Sequence, residues 1–274
     1  MLTRTIIAEP IGGLANRMRF LDCIYYLAQQ IRSKVTLLWG LEGMDCSFDR
    51  LFHAPVLVKV RDTRKPLTRL LACKFEPFVR RYRAIGWDDA MAIADNMTEW
   101  RRIVEASDVM ISGCDRFLRV ERPYSTLSIN TRVMARVDEI VSHWDVSMLG
   151  VHIRRGDNKR SVDRSPTDEF VRRIDREIDR NKDFHLFLAT DDYHEEISLV
   201  RRYGQRVQIF KKTSRDRYSP IAAEEALIDL LCLSRTQKII GSYWSSFSWE
   251  AARLGRVPLD EVYIPGDSNG SQIT

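Results

Sequence analysis

The sequence predicts an α/β fold built on parallel sheets, and three observations carry that expectation. Short apolar and β-branched runs alternate with longer segments whose apolar residues recur at helical spacing. Each run ends in glycine or in polar turn residues: Gly12-Gly13, Gly113, Gly156-Asp157, Thr190-Asp191-Asp192 and Gly241-Ser242. The order strand, turn, helix, strand is the natural sequence of a right-handed βαβ crossover. In such sheets a ligand lies beyond the C-terminal ends of the strands, so the residues at those ends are the first candidates for a site.

Composition bounds the remaining possibilities. A chain of 274 residues is long enough for two domains of ordinary size. The five cysteines, at 23, 46, 73, 114 and 232, form no CxxC pair, and the five histidines are as scattered. They read as reduced thiols of a cytoplasmic protein, with no zinc site. The N-terminal MLTRTIIAEPIGG has too short an apolar run for a signal peptide, and nowhere do about 18 apolar residues run together, so a soluble intracellular protein is expected. Residues 59–83 hold nine Lys or Arg against Asp62 and Glu76, more than the whole chain's net +5, so the basicity is one local patch. Three readings of it stay open: a solvated face, contact with an anionic membrane or anionic acceptor, and nucleic acid. Phe75, Phe78 and Tyr82 follow helical spacing, which favours packing over base stacking.

Taken in order, Thr5–Ala8 reads as a strand, the glycine pair as a turn, residues 14–32 as a helix and Val35–Trp39 as a buried strand. The glycines let backbone approach a ligand at a helix N-terminus, although GGLAN is neither GxGxxG nor a P-loop. Asn16 is either an orienting amide or a cap, and Arg17 and Arg19 face either substrate or solvent. Helical patches follow near 66–83 and 88–105, then a strand at Asp108–Ser112. A helix over 130–143 bridges to the second half, which places a boundary between residues 1–140 and 141–274.

The second half alternates cleanly. A strand at 147–154 precedes a charged loop, 157–165, and a helix from Pro166 to Asn181 with Ser165 as its cap and Asp168 completing a capping box. Phe184–Ala189, Val207–Phe210 and Lys238–Gly241 read as strands, and residues 220–234 as an amphipathic helix capped by Ser219. Asp192 is explained as a cap by Glu195 three residues on, which leaves Asp191 free for a ligand. Three junctions, HIRRGD, ATDD and GSYWSSFS, thus open on one crevice. Arg154 and Arg155 point to opposite sides of an extended backbone, and Arg154, on the side of His152, is the candidate to grip an anion bidentately. The alternative is a surface arginine pair answering Asp157 or Glu169.

These residues resemble a known family. GGLANRMRFLDCIYYLA is similar to the N-terminal GGLGNQ-type stretch of α-1,2-fucosyltransferases, and VHIRRGD to the HxRRxD motif shared by α-1,2-, α-1,6- and protein O-fucosyltransferases. ATDD resembles the second motif of the α-1,6 group, and SSFSWEAA the SSFSWWAA of the α-1,2 group. The likeness covers residues 10–30 and most of 145–255, in order, and none of 40–140. It implies the GT-B arrangement, two Rossmann-like domains facing across a cleft, with residues 1–140 on the acceptor side and 141–274 binding nucleotide sugar. It further implies GDP-fucose as donor, inversion at the anomeric carbon, a glycan acceptor and no metal. Arg154 matches the arginine that stabilises the leaving diphosphate. Ser245, Ser246 and Phe247 fall on the phosphate-binding turn, and His152, Arg155 and Asp191 fall near the nucleotide, as do Gly12, Gly13 and Asn16 of the first motif. The chain departs from the α-1,2 group at Glu250 and from the α-1,6 group at Gly156 and Ser246, so no linkage is implied. Lacking a stem, it fits a bacterial cytoplasmic enzyme, with residues 59–83 at the inner membrane if the acceptor is lipid-linked.

An inverting transfer also needs a carboxylate within reach of the acceptor hydroxyl. Asp157 and Asp163 are the candidates, with Glu9 a distant third, and each has neighbouring cations with which it could simply pair. Two rivals stand beside this reading: a GT-B enzyme using another nucleotide sugar, and a non-catalytic anion or nucleic-acid binder working through residues 59–83.

Overall fold

A computed structural model describes residues 4–40, 44–63, 82–144, 147–214 and 219–265. The chain forms two compact units, Met1–Arg136 with Lys212–Ile228, and Val137–Lys211 with Asp229–Thr274. The sequence suggests one crossing near residue 140; instead the segment Lys212–Ile228 returns to the first unit, and the helix Pro220–Leu233 runs on into the second.

The first unit holds a five-stranded parallel sheet in the order β4-β2-β1-β6-β5. Its strands are β1 (Thr5–Pro10), β2 (Lys34–Trp39), β4 (Val58–Asp62), β5 (Arg83–Ile85) and β6 (Val109–Gly113). A two-stranded antiparallel ribbon joins β3 (Phe52–His53) to β7 (Ser128–Ile129). The chain lays β1, β2 and β4 outward in one direction, then returns so that β6 lies against the other side of β1. The helix Leu14–Ile31 packs Met18, Phe20, Leu21, Ile24 and Leu27 out of solvent. It ends at Arg32, whose φ of 61° turns the amide back onto the carbonyls of Ala28 and Gln29.

Arg17 and Arg19 do not face solvent. Arg17 is 1% exposed, lies 4.7 Å from the Trp39 ring centroid, and donates to the carbonyls of Gly12 and Gly40, each at 2.8 Å. Arg19 donates to the Cys114 carbonyl at 2.9 Å and pairs with Asp115. Both satisfy backbone oxygens that the turns leave without a strand partner, a long-range demand that local spacing does not reveal. Asp22, fully buried, accepts from Arg116 at 2.6 Å and from the Tyr124 amide at 2.7 Å. The helical patch at 88–105 is two helices, Trp87–Ala92 and Met97–Ala106, because Asp95 turns at a φ of 59° and Asn96 caps the second through the Glu99 amide. The patch at 66–83 lies outside the described residues apart from Tyr82 and Arg83.

The second unit repeats the plan with a parallel sheet in the order β10-β9-β8-β11-β12. Its strands are β8 (Met148–Ile153), β9 (His185–Thr190), β10 (Val207–Ile209), β11 (Lys238–Ser242) and β12 (Leu259–Val262). Every residue of β8 is buried, as a parallel strand covered on both faces must be. Leu149, Val151 and Ile153 pack with Phe170 and Ile174 from the helix Thr167–Arg180, with Leu186 and Leu188, and with Ile240 and Val262. Such side chains contribute roughly 1.5–3 kcal/mol each on burial. A short helix, Lys159–Arg164, occupies the expected charged loop. Ser165 does not cap the helix that follows; Pro166 takes that position, and the Ser165 hydroxyl donates to the Val262 carbonyl at 2.7 Å while accepting the Tyr243 amide at 2.8 Å. Asp192 does cap the helix Tyr193–Tyr203, accepting the Glu195 amide at 2.9 Å.

Burial pushes the Cys23 thiol up to about 11 and raises Cys232 as well, so neither is a ready nucleophile. Among the described residues no helix is long and apolar enough to cross a membrane.

Asp22→Ala should lower unfolding stability by about 3 kcal/mol, because it leaves Arg116 charged and largely enclosed without its carboxylate. Denaturant unfolding of the variant beside the parent checks this; an unchanged midpoint would remove the pair from the list of supports.

Candidate functional site

Register brings the three junctions of the second sheet together. His152 on β8 pairs with Ala189 on β9 and with Gly241 on β11, and Ile153 pairs with Thr190. Arg154 therefore leaves the sheet between Asp191 and Ser242. Parallel sheets place ligands at the point where the chain reverses its direction of strand addition, and here that point is the β8–β11 boundary.

The contacts of Arg154 follow from this placement. Its amide donates to Ser242 Oγ at 2.9 Å. Its guanidinium donates through Nη1 to Asp191 and through Nη2 to Asp157. The second oxygen of Asp191 accepts the Arg155 amide at 2.8 Å. Asp191 is thus not free, as local sequence suggests, but orients both arginines, because the register sets its carboxylate against a cation and an unpaired backbone N–H.

Arg155 points the other way and is fully engaged there. It donates to Glu195 at 2.7 Å, to the Ser165 carbonyl at 3.0 Å and to Thr167 Oγ1 at 3.0 Å, with its guanidinium 5.9 Å from the Phe170 ring centroid. It ties the loop after β8 to the helices that follow β8 and β9.

His152 is buried, its Nδ1 hydrogen-bonded to Ser248 Oγ at 2.7 Å and its ring stacked on Phe247 at 4.6 Å. That contact requires the helix Ser246–Gly255 to lie close against β11. Gly241 permits it, since a Cβ there would stand 2.5 Å from Ser248 Oγ. Ser245, buried, occupies the N-cap position without a side-chain cap bond, and Ser246 and Phe247 form a half-buried first turn. The amides of such a turn have no partner within the helix and favour an anion. Trp244, just before it, is exposed at a φ of 54°; its carbonyl accepts from Asn158 at 3.0 Å and Arg160 lies 4.9 Å from its ring centroid.

Asp157 is largely exposed and engaged by Arg154. Asp163 is exposed on the short helix, without an ion pair among the described residues. In the first unit Gly12 adopts a φ of 82°, open to glycine at no cost, and Gly13 precedes the helix Leu14–Ile31 as its N-cap. Asn16 has its Oδ1 sealed from solvent with no hydrogen-bond donor among the described residues. Glu9 accepts from Ser112 Oγ at 2.6 Å.

Sequence reasoning missed Ser242, Ser248 and Glu195. Ser242 was findable by counting equal offsets past the ends of neighbouring strands; the other two act through contacts that only the packed helices create. Of the basic stretch 59–83, Lys59 and Arg61 lie on β4 and Arg83 opens β5, while residues 64–81, and with them most of the suggested membrane contact, lie outside the described residues. Among the described residues no three His, Cys, Asp or Glu are grouped to hold a metal ion.

No protein-family model and no curated protein matches the sequence. Solved structures do match the fold. The α-1,6-fucosyltransferase NodZ soaked with GDP-fucose aligns over 94% of both chains at 19% identity and a TM-score of 0.61. A variant of Arabidopsis thaliana FUT1 in complex with GDP aligns over 97% of this chain and 71% of its own at 14% identity and 0.64. POFUT1 in complex with GDP aligns over 96% and 99% at 11% identity and 0.60. The α/β architecture with two parallel sheets is that of these fucosyltransferase structures.

The two arginines should separate on substitution. Arg155→Ala should cost about 2–4 kcal/mol of stability, since it strands Glu195 and the Ser165 carbonyl, whereas Arg154→Ala should leave the melting temperature within a few degrees. Thermal unfolding of both variants checks the division of labour, and the reverse ranking would contradict it.

Proposed function

We propose that the protein is an inverting fucosyltransferase that moves fucose from GDP-fucose to a hydroxyl of a glycan acceptor without a metal ion. The observation that carries this reading is Arg154, presented at the end of a buried central strand beside the N-terminus of the helix Ser246–Gly255, in a fold shared with structures determined with GDP or GDP-fucose. Breaking the bond between the sugar and the diphosphate leaves negative charge on the departing oxygens. Preorganised donors stabilise that charge without having to reorganise at the moment of reaction.

In this scheme Arg154 neutralises the leaving diphosphate, and Asp191 holds its guanidinium in place. Ser245, Ser246 and the amides of the first helical turn supply hydrogen bonds to phosphate oxygens. His152 and Phe247, stacked together, wall the nucleotide, and the hydrogen bond to Ser248 sets the imidazole's orientation. Arg155 serves the site by fixing the loop rather than by touching the donor. Residues 141–274 bind the nucleotide sugar, and residues 1–140 serve the acceptor. An inverting displacement also calls for a carboxylate to take the acceptor's proton. Of the two suggested by the sequence, Asp163 keeps its charge unengaged among the described residues, while Asp157 is taken up by Arg154.

Thermal unfolding in EDTA with GDP, UDP and ADP is the direct test. GDP at about 100 times its dissociation constant should add about 2.7 kcal/mol, with little response to the others. A response to UDP alone would replace the donor, and silence toward all three would sink the reading. Arg154→Ala should reduce transfer by about 10²–10³-fold with the fold retained; full activity in that variant would overturn the mechanism.

A further inference from the structure

We infer that the N-terminal edge of the first sheet docks on an anionic lipid surface, through the turn at Val56 and Leu57 and the unpaired cations beside it. The surface lies wholly within the first unit, and the inference does not rest on the donor chemistry of the second.

Pro55 to Val58 form a hydrogen-bonded turn, the Val58 amide donating to the Pro55 carbonyl at 2.9 Å. Its two corner positions are Val56, 101% exposed, and Leu57, 52% exposed. Such corners ordinarily take Gly, Pro, Asn, Asp or Ser, so two adjacent apolar side chains held in water there stand out. The turn is anchored as well: the Val35 amide donates to the Leu57 carbonyl at 3.0 Å, which fixes it to the start of β2.

Register surrounds this tip with charge. Val35 lies opposite Val58 and Thr5 opposite Lys34, so the starts of β4, β2 and β1 stand side by side and bring Leu57, Lys34 and Arg4 along one edge. The helix Leu14–Ile31 runs back to the same edge and ends there at Arg32. Arg4, Arg32, Lys34 and Lys59 are exposed, and none forms an ion pair among the described residues. Two carboxylates farther along are engaged, Asp108 accepting the Thr5 amide at 2.8 Å and Glu105 pairing with Arg101 at 3.7 Å.

Unpaired cations around an exposed apolar tip match an anionic bilayer on both counts. Headgroup charge attracts the cations, and the tip enters the boundary between headgroups and acyl chains. A nucleic-acid groove would call for aromatic side chains to stack on bases rather than for valine and leucine. Docking by this edge also leaves the other end of the strands, where Gly12 and Gly13 lead into the helix, turned away from the lipid.

Sedimentation of the full chain with vesicles of phosphatidylcholine, alone or mixed with phosphatidylglycerol, tests the inference at low and high salt. The parent should bind the mixed vesicles, ignore the neutral ones and be released by salt. Lys34→Ala with Lys59→Ala should weaken binding about fivefold for each cation removed. Val56→Ser with Leu57→Ser should weaken it about tenfold while leaving the melting temperature unchanged. Arg4→Ala with Lys59→Ala replaces the lysine pair if that variant fails to fold. Equal binding to neutral vesicles, binding to none, or binding that either pair leaves undiminished overturns the inference. Displacement of the vesicles by a DNA duplex whose own binding is indifferent to Val56 and Leu57 overturns it in favour of nucleic acid.

Discussion

The site depends on the pairing of β8 with both of its neighbours in strict register. Because Ile153 lies opposite Thr190 and His152 opposite Gly241, the residues that follow, Arg154, Asp191 and Ser242, meet without any loop having to reach for another. A slip of one residue would turn Arg154 to the other side of the strand and bring Arg155 to the site. The buried core forbids that slip, since it would also turn Leu149, Val151 and Ile153 out of the cluster they share with Phe170, Ile174 and Leu188. The apolar core therefore fixes the position of the cation.

Around that cation the supports are arranged by cost. Arg155, Glu195 and Thr167 form a partly enclosed polar set whose every bond ties one element to another, so losing any member strands the rest. His152 and Ser248 are buried deeper still and depend on Gly241 to let the helix close on the strand. Arg154 alone meets its carboxylates at the open end of the sheet.

Much of this was legible in the chain. Buried parallel strands read as continuous apolar runs, and that is why β1, β2, β8, β9 and β11 stand out in sequence. β4 does not, because its alternate residues are exposed and charged, and β12 mixes Leu259 and Val262 with two acids that serve as ion-pair and hydrogen-bond partners. The role of Asp191 was misjudged by a local argument: Asp192 accounts for the cap, which leaves its neighbour unexplained. Its explanation lies on β8, far off in sequence. Ser165 failed for the same reason, its hydroxyl being claimed by Val262 and Tyr243. Motif spacing located the strand ends; it could not say which polar groups there were already satisfied by one another.

That distinction bears on how function is read from such a site. A motif presents its charged residues as a set, and the set invites one role for all of them. Geometry divides them instead. Arg155 ties the loop to the helices that follow, Asp191 bridges the Arg154 guanidinium and the Arg155 amide, and Arg154 reaches Asp157 and Asp191 at the end of the strand. The fold is shared with fucosyltransferase structures at under one-fifth identity, and within this chain the register of β8 fixes where the cation stands. What surrounds it includes the motif's own carboxylate, Asp157, three residues on, and Trp244, held at positive φ beside the helix turn.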